Sequence, residues 1–308
     1  MNLPASIRFI ERDWLSANHV LMHDEDGSAT LVDTGYDKHV PLTCRLVEQA
    51  LARPPIGQTA RLTRIINTHL HSDHCGGNAA LAAAHDCAII VPKACLEAVR
   101  QWDTDALSYR VTGQRCTRFS ATAALNPGDT FNAGGLTWEA HAAPGHDPTS
   151  LVFFNRRHRI LISADALWES GFGVIFPELL GASGFAEQEA VLELIAGLAP
   201  TTIMPGHGPI FHDLDAALRT AHDRLAALRA DPRRNGRHAL KVLLKFVLLD
   251  HERLSFAQAL QVAEGAAGMR AAAATLDMPL ADALDWAADS LLAQGQIHRQ
   301  ADLLINAH

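Results

Sequence analysis

The sequence predicts an α/β sandwich followed by a mostly helical C-terminal region. Short apolar runs alternate with helix-patterned stretches between residues 17 and 204, the order expected of a mixed α/β domain rather than an all-α or all-β one. Turn signals for a hairpin stand at the front. After Pro209 the chain becomes rich in Ala and Leu and reads as helix.

The elements follow in order. Residues 17–23 and 28–33 are apolar runs separated by Asp26-Gly27, a hairpin signal, and Asp33-Thr34-Gly35 closes the second. Residues 39–52 carry apolar positions at helical spacing. Residues 62–67 read as a buried strand, 78–84 as an alanine-rich helix and 87–91 as a strand, with Pro92 placed to open the next helix. Segment 100–127 shows no clear pattern. Residues 136–141, 150–154 and 159–163 read as strands, 187–198 as a helix and 201–204 as a strand. Beyond it, the run DPRRNG (231–236) is a polar breaker, and the tail QGQIHRQADLLIN (294–306) resembles a hairpin after a helix. Helices followed by a hairpin suggest a winged-helix-like region. The expected division is a catalytic domain over 1–212 and a C-terminal domain over 213–308.

Composition narrows the function classes. The 308 residues can bury a sizeable core, and 48% hydrophobic with 19% charged residues is ordinary for a globular chain. A formal net charge of −8 disfavours a dedicated nucleic-acid binder. Five cysteines, an odd number without paired spacing, do not form a disulfide framework. The N-terminus has no basic segment leading into an apolar one, and no run reaches membrane-spanning length, so the expected location is the cytoplasm, away from membranes.

The chemistry concentrates in THLHSDHCGG, residues 68–77. In an extended chain His69 and His71 point to the same side and can meet one metal ion. Asp73 and His74 come as the chain turns and can face a neighbouring site. Gly76 and Gly77 permit a tight turn and close backbone approach. Further ligands must come from other strand ends. His146 in A-P-G-H-D-P, Asp165 in I-S-A-D-A-L and His207 in M-P-G-H-G-P each follow an apolar strand. Such residues converge only if those strand ends share one edge of a sheet, the usual place for a site in an α/β fold. The remaining histidines, His141 and His238 among them, read as surface or core residues, and Cys75 as a small buried neighbour of His74 that is open to oxidation.

This pattern resembles the metallo-β-lactamase superfamily over residues 7–210. The H-x-H-x-D-H stretch, the later Pro-Gly-His, the Asp after a strand and the Pro-Gly-His-Gly-Pro occur in the family's order, and LVDTG resembles its Asp-x-Gly element. The resemblance implies an αββα sandwich holding two divalent metal ions, zinc first, with iron or manganese as alternatives. It implies that His69, His71 and His146 hold one metal, that Asp73, His74 and His207 hold the other, and that Asp165 bridges them. Asp33 is expected one step behind the ligands, with its partner unspecified. Water on such a site ionises near neutral pH, so a bridging hydroxide needs no catalytic Ser or Cys. Asp73 is the candidate to orient it and take its proton. Where β-lactamases of the family often carry a cysteine, this chain has Asp165, which favours the glyoxalase-like and nuclease-like branches.

The leading expectation is hydrolysis of a small ester, thioester or lactone, in the manner of glyoxalase II, although the tail shows no glutathione-binding signature. An endoribonuclease or phosphodiesterase is the alternative. The basic stretch 229–245, with Arg237, Lys241 and Lys245 on one helix face, reads as a solvated face or as a pocket rim for a phosphate-bearing substrate such as an acyl-CoA or an RNA end; it supports the alternative, and the net charge opposes it. A mononuclear-iron persulfide dioxygenase is the third reading. The expected partner is a small-molecule substrate. The helical tail suggests a homodimer, which light-scattering chromatography would read. Trp102, Tyr109, Trp168, Phe172 and Phe176 are candidate pocket walls.

Overall fold

Strands buried on both faces read as continuous apolar runs, and those runs form the centre of the molecule. A computed structural model describes residues 3–13, 15–54 and 59–307. Its first half runs β1 (Ile7–Ile10), β2 (His19–His23), β3 (Ser28–Val32), α1 (Val40–Leu51), β4 (Arg61–Ile66), α2 (Ser72–Cys75), α3 (Asn78–His85), β5 (Ala88–Pro92), α4 (Leu96–Gln101), α5 (Tyr109–Thr112) and β6 (Ala123–Leu125). The second half runs β7 (Thr130–Ala133), β8 (Leu136–Ala142), β9 (Leu151–Asn155), β10 (Ile160–Ala164), α6 (Phe176–Leu179), α7 (Phe185–Leu198), β11 (Thr202–Pro205) and α8 (Leu214–Ala230). The remainder is α9 (Arg233–His251), β12 (Arg253–Ser255), α10 (Phe256–Gly265), α11 (Ala267–Thr275), α12 (Leu280–Ala293), β13 (Ile297–Gln300) and β14 (Leu303–Asn306).

Among the described residues the strands make a six-stranded sheet in the order β1-β2-β3-β4-β5-β6 and a five-stranded sheet in the order β11-β10-β9-β8-β7. The twofold alternation of strand side chains assigns the layers. Val20 and Met22 of β2 face the other sheet, where they share a core with Trp138, Phe153, Ile162 and Met204. Leu21 between them faces outward, toward Val47 of α1, Leu81 of α3 and Val99 of α4. In the second sheet Phe153 faces inward, while Phe154, Leu161 and Ile203 face α7 and α8. The layers are therefore helix, sheet, sheet, helix, as the αββα expectation required. Phe153 is fully buried, and Phe153→Ala is expected to destabilise the fold by ~3–5 kcal/mol, read by denaturant titration.

β3 to β6 are parallel, as are β10 and β11. This brings the chain exits after β3, β4, β10 and β11 to one edge of the sandwich, where the site residues lie.

Local differences from the sequence reading have local causes. β1, β6 and β7 were not legible, being three or four residues long and set by pairing rather than by pattern. Pro92 closes β5 instead of opening a helix, and α4 starts only after a tight turn over Lys93–Cys95. The breaker at 231–236 shrinks to Asp231-Pro232, because α9 begins at Arg233 and carries Gly236 inside it. A Cβ on Gly236 would lie 3.1 Å from the Ala272 carbonyl oxygen, so glycine lets α9 and α11 approach closely.

The C-terminal elements form their own core from Leu240, Leu244 and Leu248 of α9 with Met269, Leu284, Leu291 and Leu304, and Val174 and Leu179 reach into it. β14 pairs with both β12 and β13. Helix α10 starts with a reciprocal cap, the Ser255 hydroxyl accepting from the Gln258 N–H and the Gln258 side chain from the Ser255 N–H. The buried Lys245 ammonium donates to Gln296 O (2.6 Å), Asn306 Oδ1 (2.6 Å) and Ala307 O (2.8 Å), pinning the terminal hairpin to α9. α9 is fixed over the sandwich by Phe246 against Tyr36 (ring centroids 5.1 Å apart) and by Arg115 on Asp250 (3.1 and 3.2 Å). By contrast, α8 packs on the outer face of the second sheet through Ala217, Ala221, Leu225 and Leu228. No helix among the described residues is long and apolar enough to cross a membrane.

Candidate metal centre

The loops that leave the strands are stitched by backbone hydrogen bonds into one rigid edge. Gly76 N–H donates to Gly35 O, Thr34 N–H to His74 O, Leu151 N–H to Thr68 O and Gly206 N–H to Ala164 O, each at 2.8 Å. Glycine permits these approaches. A Cβ on Gly76 would lie 2.1 Å from the Asp37 nitrogen, and one on Gly206 would lie 2.3 Å from Asp165 Oδ1. Two strand ends turn through left-handed residues to present a carboxylate: Asp33 itself (φ 57°) and Ala164 (φ 46°) just before Asp165. Such a conformation costs about 1–2 kcal/mol at a non-glycine residue, which the surrounding bonds must offset.

The chain remains extended at His71 (φ −62°, ψ 148°) before α2 begins, so His69 and His71 reach the same side. Their ring nitrogens Nε2 and Nδ1 lie 3.2 Å apart, and His146 Nε2 comes within 2.8 Å of the same His71 Nδ1. Beside this trio, Asp73 Oδ2 lies 3.2 Å from His207 Nε2 and 3.9 Å from His74 Nε2. Asp165 stands between the groups: its Oδ2 is 3.3 Å from His146 Nε2, and its Oδ1 is 3.3 Å from His74 Nε2 and 3.7 Å from His207 Nε2. All seven sequence-selected side chains thus meet at one place. Their donor atoms form overlapping groups that could hold a metal: His69, His71 and His146; His69, His74 and Asp165; Asp73, His74 and His207.

The outer nitrogens explain why the inner ones converge. His146 Nδ1 donates to Val174 O at 2.5 Å. His74 Nδ1 donates to Asp33 Oδ2 at 2.8 Å. The Thr68 hydroxyl donates to Asp33 Oδ2 (2.7 Å) and accepts from His69 Nδ1 (3.1 Å). In a neutral imidazole whose outer nitrogen is protonated, the inner nitrogen carries a lone pair, so the rings of His69, His74 and His146 are oriented to share a cation. The donor set of imidazoles and carboxylates fits zinc, iron or manganese. Asp33, whose partner the sequence did not specify, therefore orients His74 directly and His69 through Thr68.

Electrostatics follows from burial and charge. Burial lowers His69 well below its ordinary value and brings His146 down to about 4, with His71 adding to the effect. For His74 burial acts the same way, but Asp165, Asp33 and Asp73 outweigh it and hold the imidazole well above the ordinary value. Burial would raise Asp165, yet His74 and His207 hold it well below the usual carboxylate range, and Asp73 is lowered in the same manner, by His74 first.

A pocket opens over these residues. Its walls are Leu15, Thr112, Gln114, Trp168, Val174 and Phe176 from the sandwich and His238, Val242 and Phe246 from α9. Of the aromatic residues selected from sequence, Trp168 and Phe176 line it. Tyr109 lies behind the wall, Phe172 is buried beneath Arg224, and Trp102 packs on Tyr109 and Phe119. His141 pairs with Glu139 (3.3 Å), away from the pocket. The sequence reading placed a possible pocket rim on this stretch through Arg237, Lys241 and Lys245 but missed His238, Val242 and Phe246, because a helical pattern does not say which of its faces meets a distant surface.

The half-buried His238 is pushed down to about 3 by the loss of solvation around its ring, then by Arg224 and Lys241. A histidine lowered in the folded state binds its proton more readily when unfolded. Its contribution is therefore complete above the ordinary 6.5 and lost as pH falls toward 3. The variant His238→Gln is expected to show a flatter fall in stability across that interval, read by urea titrations at stepped pH.

Known proteins share this arrangement of elements. A metallo-β-lactamase family protein from Thermus thermophilus superposes over 99% of this chain and 100% of its own, with a TM-score of 0.57 at 15% identity. A di-iron-bound structure matches 70% of this chain and 98% of its own, with a TM-score of 0.54 at 24% identity. Among curated sequences, the hydroxyacylglutathione hydrolase of Bdellovibrio bacteriovorus is 27% identical over 146 residues, 46% of this chain and 47% of that protein. A thioesterase of Emericella nidulans is 29% identical over 147 residues, 48% of this chain and 34% of that protein. The chain thus spans about half, or less, of the length of these relatives. The family description "Metallo-beta-lactamase superfamily" matches residues 12–207, most of the chain and every one of the seven converging side chains, and the chain belongs to that superfamily.

Proposed function

We propose that this protein is a dinuclear-metal hydrolase of a small ester, thioester or lactone with an apolar acyl group. The observation that carries the reading is the cluster of overlapping ligand groups, with Asp165 within 3.7 Å of His146, His74 and His207, at the base of a pocket with mainly apolar walls. His69, His71 and His146 would hold one ion, Asp73, His74 and His207 the other, and Asp165 would touch both. Divalent ions in such a site supply Lewis acidity and lower the pKa of water. The chain's own residues do the rest. Asp73, a carboxylate that faces the pocket, accepts the proton of the attacking water. Leu15, Phe176 and Phe246 exclude bulk solvent and receive the acyl chain. The relatives named hydroxyacylglutathione hydrolase and thioesterase support thioesters as the first substrates to assay.

The α9–β12–α10–α11–α12–β13–β14 order supports a winged-helix-like C-terminal unit, with α8 as its connector to the catalytic unit. Its role here is to close the pocket rather than to bind nucleic acid. Among the described residues, no Lys or Arg lines the pocket. Of the six cations in the basic stretch, four are engaged: Arg229 pairs with Glu189, Arg233 and Arg237 pair with Asp231, and Lys245 holds the terminal hairpin.

Metal-loaded protein is expected to cleave short acyl-thioesters. Treatment with a chelator followed by gel filtration should abolish turnover, and zinc, iron or manganese should restore it. Cleavage of RNA or of phosphodiesters with no thioester turnover would overturn the assignment.

A further inference from the structure

Behind the pocket wall lies a pair of thiols that the metal chemistry does not use. Cys75 ends α2, directly after His74, and is fully buried. Cys116 is partly exposed on a surface groove that it lines with Tyr109 and Arg115. The two sulfurs are 3.7 Å apart, in van der Waals contact, and the Tyr109 hydroxyl lies 3.1 Å from the Cys75 sulfur. The segment carrying Cys116 is held in place on both sides. Arg115 is fixed by Asp250, and the Thr117 N–H and hydroxyl by Asp37 Oδ1 at 2.8 and 2.7 Å. The same segment presents Thr112 and Gln114 to the pocket, and Gln114 accepts a hydrogen bond from Ser72 of α2.

We propose that Cys75 and Cys116 are a redox-responsive pair whose disulfide couples oxidant exposure to the metal-bearing helix. Closing the bond takes the sulfurs from 3.7 Å to the ~2.05 Å of a disulfide, a distance within reach of side-chain rotation and a small shift of the segment. The exposed Cys116 meets a hydroperoxide first. Its sulfur forms a bond to the distal oxygen as the O–O bond breaks, and the thiol proton leaves with the alkoxide as alcohol, or as water from hydrogen peroxide. The Cys75 sulfur then attacks the sulfenic acid, the S–S bond forms, the S–O bond breaks and water departs with the Cys75 proton. Two thiols are oxidised by two electrons and one peroxide is reduced. Cys75 currently contacts the Leu70 and His71 carbonyl oxygens (3.5 and 3.3 Å), and drawing it toward Cys116 displaces the turn that carries Asp73 and His74.

The test is treatment of the metal-loaded full chain with hydrogen peroxide, followed by alkylation, non-reducing digestion and mass spectrometry. Metal release to a chromogenic chelator is followed in parallel. The expected result is a peptide bridged between Cys75 and Cys116, with release faster by about threefold or more, below the ~10-fold that disturbing a group behind the ligands costs. A phosphine reductant should reverse both changes. Cys116→Ser, at a partly exposed position, should retain the fold by circular dichroism and show neither change. A bridge between other cysteines, over-oxidation of Cys116 with Cys75 still reduced, or a bridge without altered release would overturn the proposal. The release readout rests on the metal reading above, whereas the bridged peptide does not. A protein that takes up no metal would fail that reading alone, and the peptide would still decide whether the pair closes.

Discussion

Under the dinuclear reading proposed above, Asp165→Ala is expected to remove metal-dependent turnover and to lower the metal content from two ions per chain toward one or none. Asp165 is the carboxylate that lies between the ligand groups, reaching His146 through Oδ2 and His74 and His207 through Oδ1. It sits 5% exposed at the end of β10, aimed by the left-handed turn at Ala164, and its Oδ1 accepts from Trp168 Nε1 at 3.3 Å. Gly206 leaves the space that Oδ1 occupies. Without the carboxylate, the bridge between the groups is lost and two cations would have only Asp73 to neutralise them among the seven. Changing a group behind a metal ligand costs ~10–100-fold, so loss of a shared ligand should exceed the upper end of that interval. Steady-state thioester kinetics and elemental analysis of the purified variant check this. A variant with both metals retained and turnover within tenfold of the parent would contradict the bridging role.

Asp33→Ala should reach both metal groups from outside them. One carboxylate accepts from His74 Nδ1 and from the Thr68 hydroxyl through Oδ2, and from the Thr68 N–H at 2.9 Å through Oδ1. Its removal frees His74 to change tautomer and loosens His69 through Thr68. The expected loss is ~10–100-fold in metal affinity. The buried Thr68 and His74 donors left without an acceptor should also cost about 1–3 kcal/mol of stability each, discounted where water enters. Competition with a chelator of known affinity reads the first effect and denaturant titration the second. Asp33→Asn separates them: it preserves the shape and the acceptor for the Thr68 N–H while placing an amide against the Thr68 hydroxyl and against a His74 nitrogen that already carries a proton. If Asp33→Asn binds metal as tightly as the parent, the tautomer argument fails.

The layers of the sandwich were legible because each central strand carries its instructions locally. Val20, Leu21 and Met22 alternate between two cores whatever lies beyond them. The short strands β1, β6 and β7 carry no such signal and exist because a neighbour supplies the partner. Pro92 shows the limit of a positional rule: a proline suits the start of a helix, but here it suits a strand end equally well, and pairing with β6 decided the matter.

For the site, the sequence by itself determined which seven side chains could ligate a metal. Ligand chemistry is a property of residue type, and His69, His71, Asp73 and His74 lie on one short segment whose spacing fixes their relative positions. Placing His146, Asp165 and His207 beside them required strand ends distant in sequence to share an edge, and that edge exists through the parallel pairing of β3 with β4 and of β10 with β11. What only the tertiary structure decided are the relations between segments far apart in the chain. Asp33 found His74 and Thr68, Cys75 came to face Cys116, and His238, Val242 and Phe246 of α9 became a wall of the pocket. Each depends on how a folded surface meets another, which is set by packing across the whole molecule, whereas a sequence records only what each segment brings to that meeting.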